Sequence, residues 1–371
     1  MVFNPLGKEI FMKRSADPLF AEPKKRRPWL GFLALLLVFI VAVALALNHL
    51  NNSRVNLERQ NVTIPSLPAS LENFKILHIS DLHGLLFGAN QERLWAAVRS
   101  QKFDIVCVTG DVTGRDGDVT AFLKLIDLFQ GVAPVYFIPG DEDPVPLLST
   151  PHGYNNAKAE YILRAEAQGA IYLDAPQKIV RGNGVIWLCP EWIYSLDADA
   201  SETALNARRS ELLGQAESEA RQAALIAVEY QLDQLRRVRE ARREITSGDI
   251  HIALTHHPLQ LSAMENLQEF TQTDNASYVR TVSLVLAGHY VNGQWRLPWV
   301  GPVRVPESAG LGQNGWFPGD RGVSGLSYFL GIPQYISPGL GASAAIGLPP
   351  FRLFNTPAVT ILNLTVKLTQ D

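Results

Sequence analysis

FKILHISDLH at 74–83, FDIVCVTGD at 103–111 and APVYFIPGDED at 133–143 decide the fold. Each segment carries a short, nearly continuous run of apolar residues and then turns acidic. Such runs, too short for helices, predict strands covered on both faces. Residues 91–100 and 120–130 lie between them with helical apolar spacing, so the order is β-α-β-α-β. Asp81, Asp111 and Asp141 follow the three strands at successive intervals of thirty residues. A βαβ unit has about that length. The three carboxylates therefore line up at the C-terminal edge of neighbouring parallel strands, where open α/β sheets bind ligands.

The pattern continues outward. A helix is expected over 157–167, and strands near 170–173 and 185–189. Strand 251–254 runs into Thr255-His256-His257-Pro258, and strand 282–286 into Ala287-Gly288-His289-Tyr290. Segments 335–337 and 359–368 close the chain as strands. Carboxylates crowded on one edge repel each other unless a cation sits among them. Hard divalent ions suit the carboxylates, and imidazole adds affinity for Mn, Fe or Zn. A lone Gly-Asp is more often a turn and a lone His a satisfied polar group. Five such fragments in order, each at a strand end, point jointly to a metal centre.

These motifs resemble the calcineurin-like metallophosphoesterases, in particular a membrane-anchored bacterial subgroup. Asp81-x-His83, Gly110-Asp111, Gly140-Asp141-Glu142-Asp143, the lone His256 and Gly288-His289 stand where that family has its motifs. Tyr335–Gly341, Phe351–Phe354 and Arg296–Pro298 also match the subgroup, so the likeness spans about 74–368. It implies an α/β fold, a four-layer α/β/β/α sandwich. It also implies one or two divalent ions, Mn, Fe or Zn. Asp81 and His83 would hold the first ion, Asp111 would bridge, and Asp141, His256 and His289 would hold the second, with His257 a neighbour. A metal-activated hydroxide at Asp111 would then hydrolyse a phosphoester or pyrophosphate.

The site departs from the family at three places and is in that sense partly degenerate. Asp141 replaces an asparagine. Glu142 stands where a histidine protonates the leaving group, and a carboxyl does that only if its pKa is raised. Val291 replaces a ligand histidine, leaving an open position for water or for Asn292. The alternative is therefore a weak or inactive binding or scaffold protein.

The remaining chain sets the context. The 371 residues are 47% hydrophobic with a net charge of −3, enough for a large core and too little positive charge for a nucleic-acid binder. Residues 29–47 contain no charged side chain and follow Lys24-Lys25-Arg26-Arg27. Nineteen helical residues span about 28 Å, roughly a bilayer's hydrocarbon core. The basic flank predicts a cytoplasmic tail over 1–28, a transmembrane anchor over 29–47 and an extracytoplasmic domain. A cleaved signal peptide is the competing reading. Polar residues 48–69 with two prolines predict a linker, and 70–371 the domain. Anchoring places the site near lipid headgroups, so a lipid-linked phosphoester is an expected substrate. Residues 201–245 hold one glycine, no proline and eight charges of each sign. Apolar positions from Leu225 to Ile245 recur every three or four, predicting one long charged helix on the flank and possible self-association through it. Cys107 and Cys189 sit in apolar runs as core thiols.

Overall fold

The computed structural model describes residues 28–147, 157–260, 282–305, 315–344 and 346–366. The predicted tail over 1–27 lies outside them. Residues up to Leu47 and residues from Asn48 onward form two separate compact units. Helix α1 spans Pro28–Asn52. Its stretch Gly31–Asn52 is long and apolar enough to cross a membrane. The helix outlasts the uncharged stretch by five residues, Asn48 to Asn52.

The domain is built on two six-stranded sheets. The first holds β1 (Asn56–Thr63), β14 (Ala358–Thr365), β2 (Lys75–Ile79), β3 (Ile105–Thr109), β4 (Val135–Ile138) and β5 (Ile171–Tyr172), in that order. The second holds β12 (Gly325–Phe329), β13 (Ile332–Ile336), β9 (Leu284–Ala287), β8 (Ile250–Leu254), β7 (Gly184–Pro190) and β6 (Gln177–Arg181). β2, β3, β4 and β5 are parallel to one another, as are β7, β8 and β9. Every residue of β3, β4, β8 and β9 is buried, as apolar strands covered on both faces require. A short β10–β11 hairpin (Arg296–Leu297 with Gly301–Pro302) stands apart.

Three apolar clusters make four layers. Helices α2 (Glu92–Val98), α3 (Thr120–Phe129) and α4 (Glu160–Ala167) cover the outer face of the first sheet through Leu94, Phe122 and Ile162. Ile76, Ile105, Leu188 and Ile252 meet between the sheets. Helix α6 (Glu219–Glu244) covers the second sheet through Ala241, against Trp187 and Ala253. Phe122 and Phe137 are fully buried and meet edge to face. Burial of each such ring is worth roughly 2–3 kcal/mol. The two cysteines are buried and unbridged. The α/β sandwich implied by the family resemblance is present.

Two expectations change. Residues 48–69 are not a linker: Asn56–Thr63 form β1, paired in parallel with β14 from Asn56↔Ala358 to Thr63↔Thr365. β1 is an edge strand with one fully buried position, Val62, so its polar sequence shows no core alternation. The long helix over 201–245 is two helices, α5 (Ala198–Leu213) and α6, broken at Gly214. Asp197 caps α5 through the N–H groups of Asp199 and Ala200, and Ser218 caps α6 by accepting from Arg221 N–H at 3.2 Å. Only α6 carries the buried stripe, at Ala223, Val228, Leu235, Val238 and Ala241.

Candidate metal centre

Asp81, Asp111, Asp141, His256 and His289 each lie two or three residues beyond the end of β2, β3, β4, β8 and β9. Parallel strands put these ends on one edge of the sandwich. The backbone there is tightly turned: φ is +53° at Asp81, +47° at His83, +52° at Asp111 and +72° at His289. Left-handed backbone costs a non-glycine residue roughly 1–3 kcal/mol and persists where the surroundings enforce it. Here Asp81 N–H donates to Gly110 O at 3.0 Å and His83 N–H to Asp111 O at 2.8 Å, locking the two turns together. A Cβ on Gly140 would lie 2.3 Å from Asp111 N and Oδ1, so only glycine fits there.

Three groups of donor atoms result, each within 4.8 Å: Asp81, His83 and Asp111; Asp111, His256 and His289; and Asp141, His257 and His289. Asp111 belongs to the first two. Its Oδ2 lies 3.7 Å from His83 Nε2 and 3.2 Å from His256 Nε2. His256 Nδ1 lies 2.8 Å from Thr109 O, and a carbonyl only accepts. That nitrogen therefore carries the proton, and Nε2 is turned into the site. His289 Nδ1 stands 3.2 Å from the same Nε2. His83 Nε2 is buried without a hydrogen-bond partner.

The electrostatics describe buried carboxylates whose charge is offset by the neighbouring imidazoles. Burial, with the charge of Asp111 added, raises the Asp81 carboxyl against the pull of His256 and His83. Burial alone would raise Asp111 too, but the hydrogen bond and charge of His256 hold it down to about 2. Burial likewise works to lower His256, yet Asp111 and Asp81 push its imidazole up to about 10. His289, buried beside His256, is pulled down to about 4. Among the described residues the ion pairs of Asp81 and Asp111 are all with histidines. Two buried carboxylates, an orphaned imidazole nitrogen and a second one preset as a ligand fit a divalent cation such as Mn, Fe or Zn.

The structure brings together all six expected ligands, and it adds His257. That imidazole lies 2.8 Å from Asp141 Oδ1 through Nε2 and has its ring 4.2 Å from that of His289. His289 Nδ1 is 3.7 Å from Asp141 Oδ2, and Asp141 is half exposed at the rim. Thr255-His256-His257 held the signal for His257, but two adjacent histidines past a strand cannot be ranked without the opposite sheet. Asp143 was also missed as an organiser. Its carboxylate accepts from Val112 N–H, Thr113 N–H, the Thr113 hydroxyl and Gly140 N–H at 2.8–2.9 Å, tying the β3 and β4 turns together.

Two substituted positions can now be placed. Val291 is fully buried, and Asn292 does not fill the gap it leaves. Asn292 Oδ1 accepts from Arg296 Nη1 at 2.7 Å and Ser324 Oγ at 2.8 Å, while its Nδ2 donates to Asn355 Oδ1 at 3.0 Å. Glu142 N–H donates to Asp111 Oδ1 at 2.8 Å, and Glu142 Oε2 lies 3.5 Å from His83 Nδ1. The His83 imidazole, helped by the Ser343 hydroxyl, holds the Glu142 carboxyl below its usual range although burial opposes it.

On this edge one carboxylate joins two imidazole-bearing groups that could each hold a metal ion. Residues 74–293 match the family model described as calcineurin-like phosphoesterase, and the chain belongs to that family. It is similar to the uncharacterized metallophosphoesterase YkoQ of Bacillus subtilis (strain 168), 22% identical over 297 residues, 79% of this chain and 84% of that protein. The family's chemistry is metal-dependent phosphoester hydrolysis.

Proposed function

We propose that the protein is a membrane-tethered phosphoesterase that holds one or two divalent ions, Mn, Fe or Zn, and cleaves a phosphoester or pyrophosphate, with a lipid-linked one favoured. The observation that carries this is Asp111, buried and shared between the Asp81–His83 and His256–His289 halves. Asp81, His83 and Asp111 would hold one ion, and Asp111, His256, His289 and Asp141 the other. When bound, such ions supply Lewis acidity that offsets phosphate charge and makes water a nucleophile near neutral pH. The chain's own groups set the geometry. Thr109 O orients His256, Glu142 N–H fixes Asp111 Oδ1, and the Glu142 carboxylate faces His83 Nδ1 so that Nε2 points inward. Glu142 with a lowered pKa is a positioning group for His83 and a poor proton donor.

Two features support the finer parts. The apolar stretch Gly31–Asn52 follows a basic cluster, which fits an anchor with a cytoplasmic N-terminus and an extracytoplasmic domain. A cleft of about 430 Å³ beside His83 has apolar walls at Leu85, Leu86, Phe87 and Phe351 and the two arginines Arg93 and Arg352 among its lining. That lining suits a phosphate attached to a hydrocarbon chain. The scaffold alternative draws no support from α5–α6, where Arg236, Arg237 and Arg239 are committed to carboxylates of the same domain.

Elemental analysis of the purified full-length chain after Mn loading, alongside hydrolysis of bis(p-nitrophenyl) phosphate, tests the proposal. One or two ions per chain are expected, and Asp111→Asn should lose both the ions and the hydrolysis. A chain that binds no metal, or hydrolysis that survives Asp111→Asn, overturns it.

A further inference from the structure

Several large apolar side chains exposed on the domain, such as Val132, Val145, Val180 and Leu213, sit singly on separate elements. Single exposed residues need no explanation. One face is different. Trp299, Leu297, Phe354, Phe351, Leu85 and Leu86 are all exposed, and Trp299 completely so. They line two clefts, and the 351–354 segment contributes to both. Leu297, Trp299 and Phe354 line one cleft of about 380 Å³, and Phe351, Leu85 and Leu86 line the cleft beside His83. Backbone bonds knit the loops together, with Arg296 N–H donating to Leu353 O at 2.9 Å. Trp295 Nε1 donates to Phe351 O at 2.9 Å.

Trp299 tips the β10–β11 hairpin at φ +64°. A tryptophan held in left-handed backbone with its whole ring in water gains nothing from the fold around it. The same face is tied to the first residue after the uncharged stretch. Asn48 Oδ1 accepts from Phe354 N–H at 2.7 Å, and Asn48 Nδ2 donates to Arg352 O at 2.8 Å. Asn52 Nδ2 donates to the same carbonyl at 2.6 Å. Arg352 is itself buried and spans the loop, donating to Pro338 O, Gly341 O and Asn355 O at 2.8–3.0 Å. The loop that carries Phe351 and Phe354 is therefore fixed within the domain by Asn48, Asn52 and Arg352. Tryptophan and phenylalanine are side chains that settle at a bilayer interface.

We infer that this face is a membrane-docking surface, and that its occupant is the lipid bilayer interface. Trp299, Phe354 and Phe351 insert at headgroup level, and the cleft beside His83 opens onto the lipid layer. The inference rests on the anchor reading only for bringing a bilayer near, and one experiment separates the two.

The full-length chain is reconstituted in phosphatidylcholine–phosphatidylglycerol nanodiscs, with a single environment-sensitive fluorophore on Trp299→Cys, Phe354→Cys, Val180→Cys or Val38→Cys. Cys107 and Cys189 are buried and remain unlabelled. Lipid-borne nitroxide should quench labels at 299 and 354 several-fold more than the label at 180, and aqueous iodide should show the reverse order. Labels at 299 and 354 as open to iodide as the label at 180 overturn the docking surface, whatever the label at 38 reports. Quenching at 299 and 354 without quenching at 38 keeps the docking surface and removes the anchor. In detergent-free buffer without lipid, the 299 and 180 labels should behave alike, and a difference there would mean that protein covers residue 299.

Discussion

Asp174 and Asp81 are both buried carboxylates, placed just past β5 and β2, and they are satisfied in opposite ways. Asp174 receives a two-pronged contact from Arg237 at 2.7 and 2.9 Å, a hydrogen bond from Tyr230 and one to its carbonyl from Gln234. Its charge is answered inside the protein. Asp81 has the His289 N–H, the Ser80 hydroxyl and a histidine 4.0 Å away. Its neighbour Asp111 adds to the negative charge. One carboxylate is a fastener for α6, and the other, under the proposed function, is left for a cation. The difference between them is whether an arginine forks directly onto the carboxylate.

The largest expected effect tests the fastener. Asp174→Asn leaves half-buried Arg237 with only the more exposed Asp233 opposite it, and removing one partner of a buried pair costs about 3 kcal/mol. Urea unfolding should show that loss with metal binding intact. Acid should act through the same pair. Arg237 and Tyr230 hold Asp174 below the usual carboxyl range although burial opposes them. A lowered folded pKa contributes stability in full above about pH 4, the unfolded value, and loses it as pH falls through Asp174's own lower value. The wild-type stability curve should therefore dip in that acid window, and the dip should shrink in Asp174→Asn.

The edge should behave in the contrary manner. Mn added at roughly 100 times its dissociation constant should stabilise the wild type by about 2.7 kcal/mol. A chelator should remove that gain, and Asp111→Asn should never show it. Without metal, Asp111→Asn also loses its pairing with His256 and should be less stable than the metal-free wild type. Only the Mn-dependent gain therefore reports on the edge, and a gain that survives Asp111→Asn breaks the comparison.

The edge was legible in the sequence because its chemistry is local. Each strand ends in its own acidic or imidazole group, and the thirty-residue interval reports the βαβ repeat directly. The unread parts depend on contacts between distant segments. β1 is polar because it lies at a sheet edge, so nothing in Asn56–Thr63 announces its pairing with β14. Gly214 looked like one weak position in a long helix, since a single glycine costs only about 1 kcal/mol there. What broke the helix was Ser218 capping a new one. His257 enters the site because Asp141 arrives from the other sheet, and Asn292 is withdrawn from it by Ser324, Arg296 and Asn355. No spacing rule encodes those meetings.

A finer test asks whether the edge has a support of its own. Glu142→Gln keeps the shape beside His83 and removes the charge. Loss of the partner that orients a metal-ligating imidazole typically weakens metal binding about 10–100-fold. Titration followed by elemental analysis should show that weakening for one ion only, because His256 takes its orientation from Thr109 O and not from Glu142. Equal weakening of both ions would mean that Glu142 acts through its backbone contact to Asp111 and that the two halves are one unit.

The smallest expected effect lies on the same flank as the largest and tests whether burial is what separates them. Arg236 contacts Asp233 and Glu240 at 2.5 and 2.7 Å, distances as short as those between Arg237 and Asp174. Its side chain is 59% exposed, whereas Asp174 is 3% exposed. Water screens the exposed pairs and already solvates each partner, so losing them strands no charge in a low dielectric. Arg236→Ala should unfold at the wild-type urea midpoint within scatter, at low and high salt alike. A loss approaching that of Asp174→Asn would mean that the α6 charges act as a connected network through Asp233, which also accepts from Arg237 Nε at 3.0 Å. Stability on the flank would then be a property of the whole helix surface, and the contrast with the edge would rest on the number of arginines rather than on the one buried beside Asp174.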